Sequence, residues 1–186
     1  MSHESQIIIL TGEKDSGKTL VCDGLVKKFS GSFRKISGII SLGQYEKGKK
    51  IAICAIDLST GEKKVLANYS PGWDPENPQR EWRFDQDVLK WGNEVLARAH
   101  PTDLLFIDEI GYLEFEKNEG WINALKILDS GEFHYAVIVV RPSLLKTTIN
   151  RYPLAEIFRI DSRSDVESTI SKLIKRFSIP QENKKL

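Results

Sequence analysis

The stretch Thr11-Gly12-Glu13-Lys14-Asp15-Ser16-Gly17-Lys18-Thr19, directly after the apolar run Ile7-Ile8-Ile9-Leu10, constrains this chain more than any other feature. It fits G-x-x-x-x-G-K-[ST], the pattern of a loop that wraps phosphate. Gly12 and Gly17 let the backbone curl, so that successive N–H groups and the N-terminus of a following helix point at phosphate oxygens. Val21, Leu25 and Phe29 recur at helical spacing just beyond, which completes a strand, a loop and a helix. The expected nucleotide-binding segment is therefore Gly12, Glu13, Lys14, Asp15, Ser16, Gly17, Lys18, Thr19 and Leu20. Within it Lys18 is expected on the β- and γ-phosphates and Thr19 on Mg2+. Before nucleotide binds, Lys18 is expected to have no buried partner.

Size and charge narrow the remaining classes. With 186 residues and 40% hydrophobic content, the chain can build one core, and no composition break demands a second. One domain over residues 1–177 and a polar tail at 178–186 are expected. Lys+Arg 27 against Asp+Glu 26 leaves a net charge of +1, which implies no general attraction to nucleic acid or to an anionic membrane. Cys22 and Cys54 lie inside regular elements without metal-ligand spacing and read as free thiols in a reducing compartment. The four apolar residues near the N-terminus are too few for a signal-peptide core or a membrane span. These features predict a cytoplasmic protein.

Along the chain, 35–42 reads as a strand, 43–49 as a Gly- and Lys-rich turn, 51–58 as a second strand, and Val65-Leu66-Ala67 as the start of a third. Two successive hairpins are thus expected to set antiparallel strands beside the nucleotide-binding strand. Residues 69–83 carry Pro71, Pro75 and Pro78 with Trp73 and Trp82, a long loop that either closes as a lid or is pinned statically by its aromatics. Phe84, Val88, Val95, Leu96 and Ala99 predict a helix ending before Pro101, with Asp85 and Asp87 near its start. Leu104 to Ile107 and Ala136 to Val140 are continuous apolar strands, separated by a helical stripe at Trp121, Leu125 and Leu128. A helix at 144–151, a strand at 157–160 and a helix at 165–177 follow. Such alternation predicts an α/β fold: a three-layer P-loop domain whose mainly parallel sheet carries antiparallel edge strands from 35–67.

Asp108-Glu109 closes the 104–107 run, where an acid projects into the ligand crevice of an open α/β sheet. Asp108 is the candidate for the magnesium shell, through a water, and Glu109 for polarising an attacking water. Glu114 either faces the same pocket or begins the solvated run Glu114, Glu116, Lys117, Glu119. Charge developing on phosphate oxygens calls for a cation besides Lys18, and Arg141 ends the 136–140 strand at the same sheet edge. The alternative for Arg141 is a bond to a neighbouring carbonyl or acid. Arg163, after the 157–160 strand, is placed either to line a base or ribose pocket or as an exposed turn residue.

Together these residues resemble the small P-loop nucleoside-triphosphatases known from thermophilic microbes and, in vertebrates, as cancer-related nucleoside-triphosphatase. The resemblance rests on Thr11-Gly12 to Thr19, on Gly48 to Leu58 with Thr60-Gly61, and on Asp108-Glu109-Ile110-Gly111-Tyr112-Leu113-Glu114. It implies magnesium-dependent hydrolysis of ATP, GTP and related nucleoside triphosphates, with Lys18 and Thr19 on phosphate and metal, Asp108 on magnesium and Glu109 as the catalytic acid. The chain departs from the family pattern at Glu13-Lys14-Asp15-Ser16, Leu20, Tyr45 and Ala52-Ile53. Asp108 to Tyr112 also resembles the second motif of helper ATPases that bind nucleic acid, which the near-neutral charge and the double hairpin disfavour. Two alternatives use the same phosphate cradle: a kinase acting on a nucleotide or other small acceptor, and a nucleotide-switched regulator of a protein partner.

Overall fold

The computed structural model describes residues 5–31, 35–74, 76 and 81–177. The polar tail 178–186 lies outside the described residues, as do Pro75 and residues 77–80 of the proline-rich segment. In chain order the elements are β1 (Gln6–Thr11), α1 (Lys18–Phe29), β2 (Ile36–Glu46), β3 (Lys49–Asp57), β4 (Lys63–Tyr69), β5 (Trp82–Phe84) and α2 (Gln86–Ala97). Then come β6 (Thr102–Ile110), α3 (Ile122–Ser130), β7 (Phe133–Val140), α4 (Leu145–Arg151), β8 (Glu156–Arg159) and α5 (Asp165–Arg176).

Among the described residues the strands form one sheet in the order β5-β4-β3-β2-β6-β7-β1-β8. The pairs β2–β6, β6–β7, β7–β1 and β1–β8 are parallel, whereas β2–β3, β3–β4 and β4–β5 are antiparallel. Side chains alternate across the sheet, so the continuous apolar runs feed two cores. Leu105, Ile107, Ile138 and Val140 pack with Val88, Trp91, Val95 and Leu96 of α2 and with Ala124, Ile127 and Leu128 of α3. On the other face Leu104, Phe106, Val137 and Val139 meet Val21, Cys22 and Leu25 of α1 and Val166 and Leu173 of α5. Burying each such side chain contributes about 1.5–3 kcal/mol, so strands at the sheet centre are held rigidly from both sides. Their carboxyl ends become fixed platforms for polar side chains.

Three expectations need correction. The antiparallel strands do not lie beside β1, whose neighbours are β7 and β8; β2, β6 and β7 stand between them, because the hairpins continue from the far side of β6. The turn expected at 43–49 shrinks to Lys47-Gly48, since β2 runs to Glu46 and β3 starts at Lys49. The long loop after β4 is also shorter than 69–83: Tyr69 ends β4, and Trp82-Arg83-Phe84 form β5, paired with Tyr69, Asn68 and Ala67. Phe84 therefore belongs to a strand, and Asp85 caps α2 by accepting from the amides of Asp87 at 2.9 Å and Val88 at 3.1 Å. No helix among the described residues is long and apolar enough to cross a membrane. Cys22 and Cys54 are free and buried.

Candidate active site

β1 delivers the chain to the phosphate-loop motif and α1 leaves it at Lys18, so the motif spans the strand-to-helix turn. Gly17 adopts φ 113, a left-handed conformation that a side chain strains, and a Cβ there would lie 2.7 Å from Val166 Cγ2. At Gly12 a Cβ would run into the carbonyl oxygen of Ile160. The two glycines thus let the loop nest against the turn between β8 and α5. Arg163 consequently sits beside Gly17, exposed at the loop.

Glu13, Lys14, Asp15 and Leu20 are exposed, while Ser16 and Lys18 are buried. Lys18 has buried partners, contrary to expectation: its Nζ donates to the carbonyls of Gly12 at 2.7 Å and Glu13 at 2.6 Å, with Ser16 Oγ at 3.5 Å. Only 8% of Lys18 is exposed, so its ammonium must find acceptors, and the loop carbonyls are the nearest. Burial holds its pKa below the ordinary lysine value; Glu109 and Asp108 pull it back up, and Arg141 adds to the lowering.

The acidic half of the site comes from β6. Its pairing with β7 loses register between Ile107 and Ile110, which frees the Asp108-Glu109 segment from the regular ladder. Asp108 is nearly sealed from solvent. Its Oδ1 accepts from Thr19 Oγ1 at 3.2 Å, and its Oδ2 accepts from the Ser41 amide at 3.1 Å. The Ser41 hydroxyl also donates to the Asp108 carbonyl at 2.9 Å. Burial pushes the Asp108 carboxyl up to about 6; the Ser41 amide and the Thr19 hydroxyl restrain it, Glu109 adds to the rise and Lys18 opposes it.

Sequence reasoning missed Ser41. It lies on β2 beyond Ile39, the last residue of β2 in register with β6, so its amide turns to the aspartate instead of the β6 ladder. The available signal was its position: a polar residue ending the apolar run Ile39-Ile40, much as Asp108 ends 104–107.

Arg141, at the carboxyl end of β7, pairs through Nε with Glu109 Oε1. Lys18, Thr19, Asp108, Glu109 and Arg141 therefore converge on one edge of the sheet, and Arg163 joins from the β8 side. Glu114 follows neither reading offered for it. It is buried, and its carboxylate accepts from the amides of Gly111 and Trp121, each at 2.7 Å, closing the turn that leads into α3. The rest of its run, Glu116, Lys117 and Glu119, is solvated.

No group of three or more His, Cys, Asp or Glu side chains that could hold a metal occurs among the described residues. The Thr19 hydroxyl and the Asp108 carboxylate are nonetheless hard oxygen donors facing each other. That donor set suits magnesium, which keeps several waters and binds through one or two carboxylates plus phosphate.

A family model described as NTPase matches residues 7–172. The nucleoside-triphosphatase THEP1 of Methanocaldococcus jannaschii is 25% identical over 166 residues, covering 77% of this chain and 95% of that protein. THEP1 of Methanosarcina barkeri is 29% identical over 125 residues, covering 65% and 68% respectively. Among solved structures, a human cancer-related nucleoside triphosphatase superposes with a TM-score of 0.71 at 18% identity, covering 97% of this chain and 100% of that one. THEP1 from Aquifex aeolicus gives 0.68 at 19% identity, with 94% and 100% covered. At these identities the structural likeness speaks for the fold alone.

Proposed function

The chain belongs to the NTPase family and is a nucleoside-triphosphatase, and from that premise we propose that it hydrolyses ATP, GTP and related triphosphates with magnesium, releasing the diphosphate and phosphate. The observation that carries this reading is the 3.2 Å contact between Thr19 Oγ1 and Asp108 Oδ1, which joins two motifs 89 residues apart. Thr19 and Asp108 would hold the ion, Asp108 directly or through a water. Magnesium, when bound, supplies positive charge at the β- and γ-phosphate oxygens.

The protein's own groups do the rest. The backbone from Gly12 to Leu20 cradles the phosphates, and Lys18 trades its two loop carbonyls for phosphate oxygens, a stronger charge-assisted pairing. Glu109 orients a water and accepts its proton as the water attacks the γ-phosphorus. Lys18 and Arg141 stabilise the charge that develops on the phosphoryl oxygens, and Arg163 lines the base or ribose side. The balanced charge and the two free, buried cysteines support a cytoplasmic enzyme with no nucleic-acid or membrane partner.

The test is incubation with magnesium and γ-labelled ATP, alone and with a panel of small acceptors, for wild type and Glu109→Gln. Label should appear as free phosphate, and the variant should bind ATP within about threefold of wild type while turning over roughly 10²–10³-fold more slowly. Label on an acceptor would make the protein a kinase. Wild-type turnover in the variant would remove Glu109 from the chemistry.

A further inference from the structure

We infer that Arg141 is the residue by which this enzyme tells a triphosphate from a diphosphate: it exchanges its Glu109 partner for the terminal phosphate, so Glu109 is released to engage water only when that phosphate is in place. The inference rests on the reading of this edge as a triphosphate site.

Geometry supplies the argument. Arg141 and Glu109 stand at the carboxyl ends of the adjacent strands β7 and β6 and are ion-paired. The pair is open to water, with 69% of the Arg141 side chain and 37% of the Glu109 side chain exposed, and such pairs hold weakly. Pro142 begins a short 3₁₀ turn directly after Arg141, so a change of partner falls to the side chain rather than to the backbone. Both members act electrostatically on Lys18, as Asp108 does, which puts them around the place where the loop lysine meets phosphate.

Competition then follows from charge and shape. A terminal phosphate brings about two negative charges and three acceptor oxygens that suit the planar guanidinium fork, whereas Glu109 offers one charge. A diphosphate has no oxygen at that position, so Arg141 stays on the carboxylate. While Glu109 is held there, one of its carboxylate oxygens is occupied by the guanidinium and is not open to a water. Occupancy by substrate therefore prepares the base, and occupancy by product does not.

The test follows the Arg141 Nε–Hε resonance by nitrogen-15 NMR, assigned by its loss in Arg141→Lys. Wild type and Glu109→Gln are compared without nucleotide, with magnesium-ADP and with magnesium-adenylyl-imidodiphosphate. The resonance should differ between the two proteins without nucleotide and with ADP, and the difference should collapse with the triphosphate analogue. A difference that persists with the analogue, or none without nucleotide, overturns the exchange. Calorimetry on the same samples separates the two levels: failure of the analogue to bind removes the triphosphate site itself, whereas binding with a persistent Glu109 dependence removes only the exchange. Arg141→Ala should weaken the analogue roughly tenfold and leave ADP within about twofold. Equal weakening of both ligands would also overturn the proposal.

Discussion

Among the described residues two aspartates are sealed inside this protein, and they are shifted in opposite directions. Asp57, wholly buried at the end of β3, accepts from the Ser59 amide at 2.9 Å, the Ser59 hydroxyl at 2.6 Å, the Thr60 hydroxyl at 3.0 Å and Arg98 Nη2 at 2.9 Å. Burial alone would raise its pKa, but these donors outweigh it and hold the carboxyl below 3.8. For Asp108 burial wins, because among the described residues its carboxylate has only the Thr19 hydroxyl and the Ser41 amide as donors and neither is a cation. The hairpin turn completes its acid from within, whereas the phosphate edge leaves its acid short of donors at the proposed metal and substrate site. Burial is therefore a poor guide to function in this fold; the balance of donors around the carboxylate discriminates better.

The sharpest way to break that contrast is Asp108→Asn. Turnover with magnesium should fall about 10²–10³-fold through loss of the proposed metal ligand. Stability without nucleotide should rise, because a carboxylate with a raised folded-state pKa is penalised in the fold from about pH 3.8 upward and fully above about 6. The gain is on the order of 1–3 kcal/mol at pH 7, since the carboxyl is raised from 3.8 to about 6. A lower melting temperature for the variant would put Asp108 in the same class as Asp57.

Lys18→Ala comes next. Removing its charge should weaken triphosphate binding about 100-fold by calorimetry. Lys18 also closes the loop onto the carbonyls of Gly12 and Glu13, so the variant should lose about 1 kcal/mol of stability as well. Affinity at the wild-type level would undo the phosphate-loop reading altogether.

Asp57→Asn tests the other side of the comparison. It should cost about 2–3 kcal/mol and leave triphosphate affinity unchanged, since an amide cannot accept from all of these donors. The folded-state pKa of Asp57 is depressed, so its contribution is fully present above 3.8 and is lost as pH falls below that value through the folded one. Urea midpoints of wild type and variant should converge on acidification. A constant gap would mean that the charge contributes nothing.

The same contrast explains what could be read from the chain. Strands β1, β6 and β7 were legible because burial on both faces demands unbroken apolar runs, and the phosphate loop because its glycines and lysine have few substitutes. The hairpin region is paired through backbone groups whose reach leaves little mark on side-chain choice. Tyr45, Ile51, Val65 and Tyr69 remain exposed there, so hydrophobic pattern did not delimit β2, β3 and β4. Glu114 was hidden in a charged run, since only the folded turn brings the amides of Gly111 and Trp121 to it. The roles of Ser41 on Asp108 and of Glu109 as partner to Arg141 depend on which strands become neighbours. That order, with β6 between β2 and β7, is not a local property of any motif.

The smallest expected effect lies at the outer edge of the hairpin region. Trp82 pairs across β5 and β4 with Tyr69, their rings edge-on at 5.6 Å, and Lys50 Nζ lies 5.6 Å from the indole centroid. The Ser70 amide continues the ladder to the Glu81 carbonyl at 2.8 Å. An aromatic pair of this kind contributes about 0.5–1.5 kcal/mol, and because Trp82 is only part-buried, Trp82→Ala should cost no more than that. Backbone pairing rather than ligand holds the strand ends, so hydrogen exchange at Asn68, Tyr69 and Ser70 should quicken in the variant. In wild type the exchange of these amides should be the same with and without a non-hydrolysable triphosphate. If nucleotide instead slows it, this edge closes toward the phosphate site and the hairpin belongs to the functional half of the molecule.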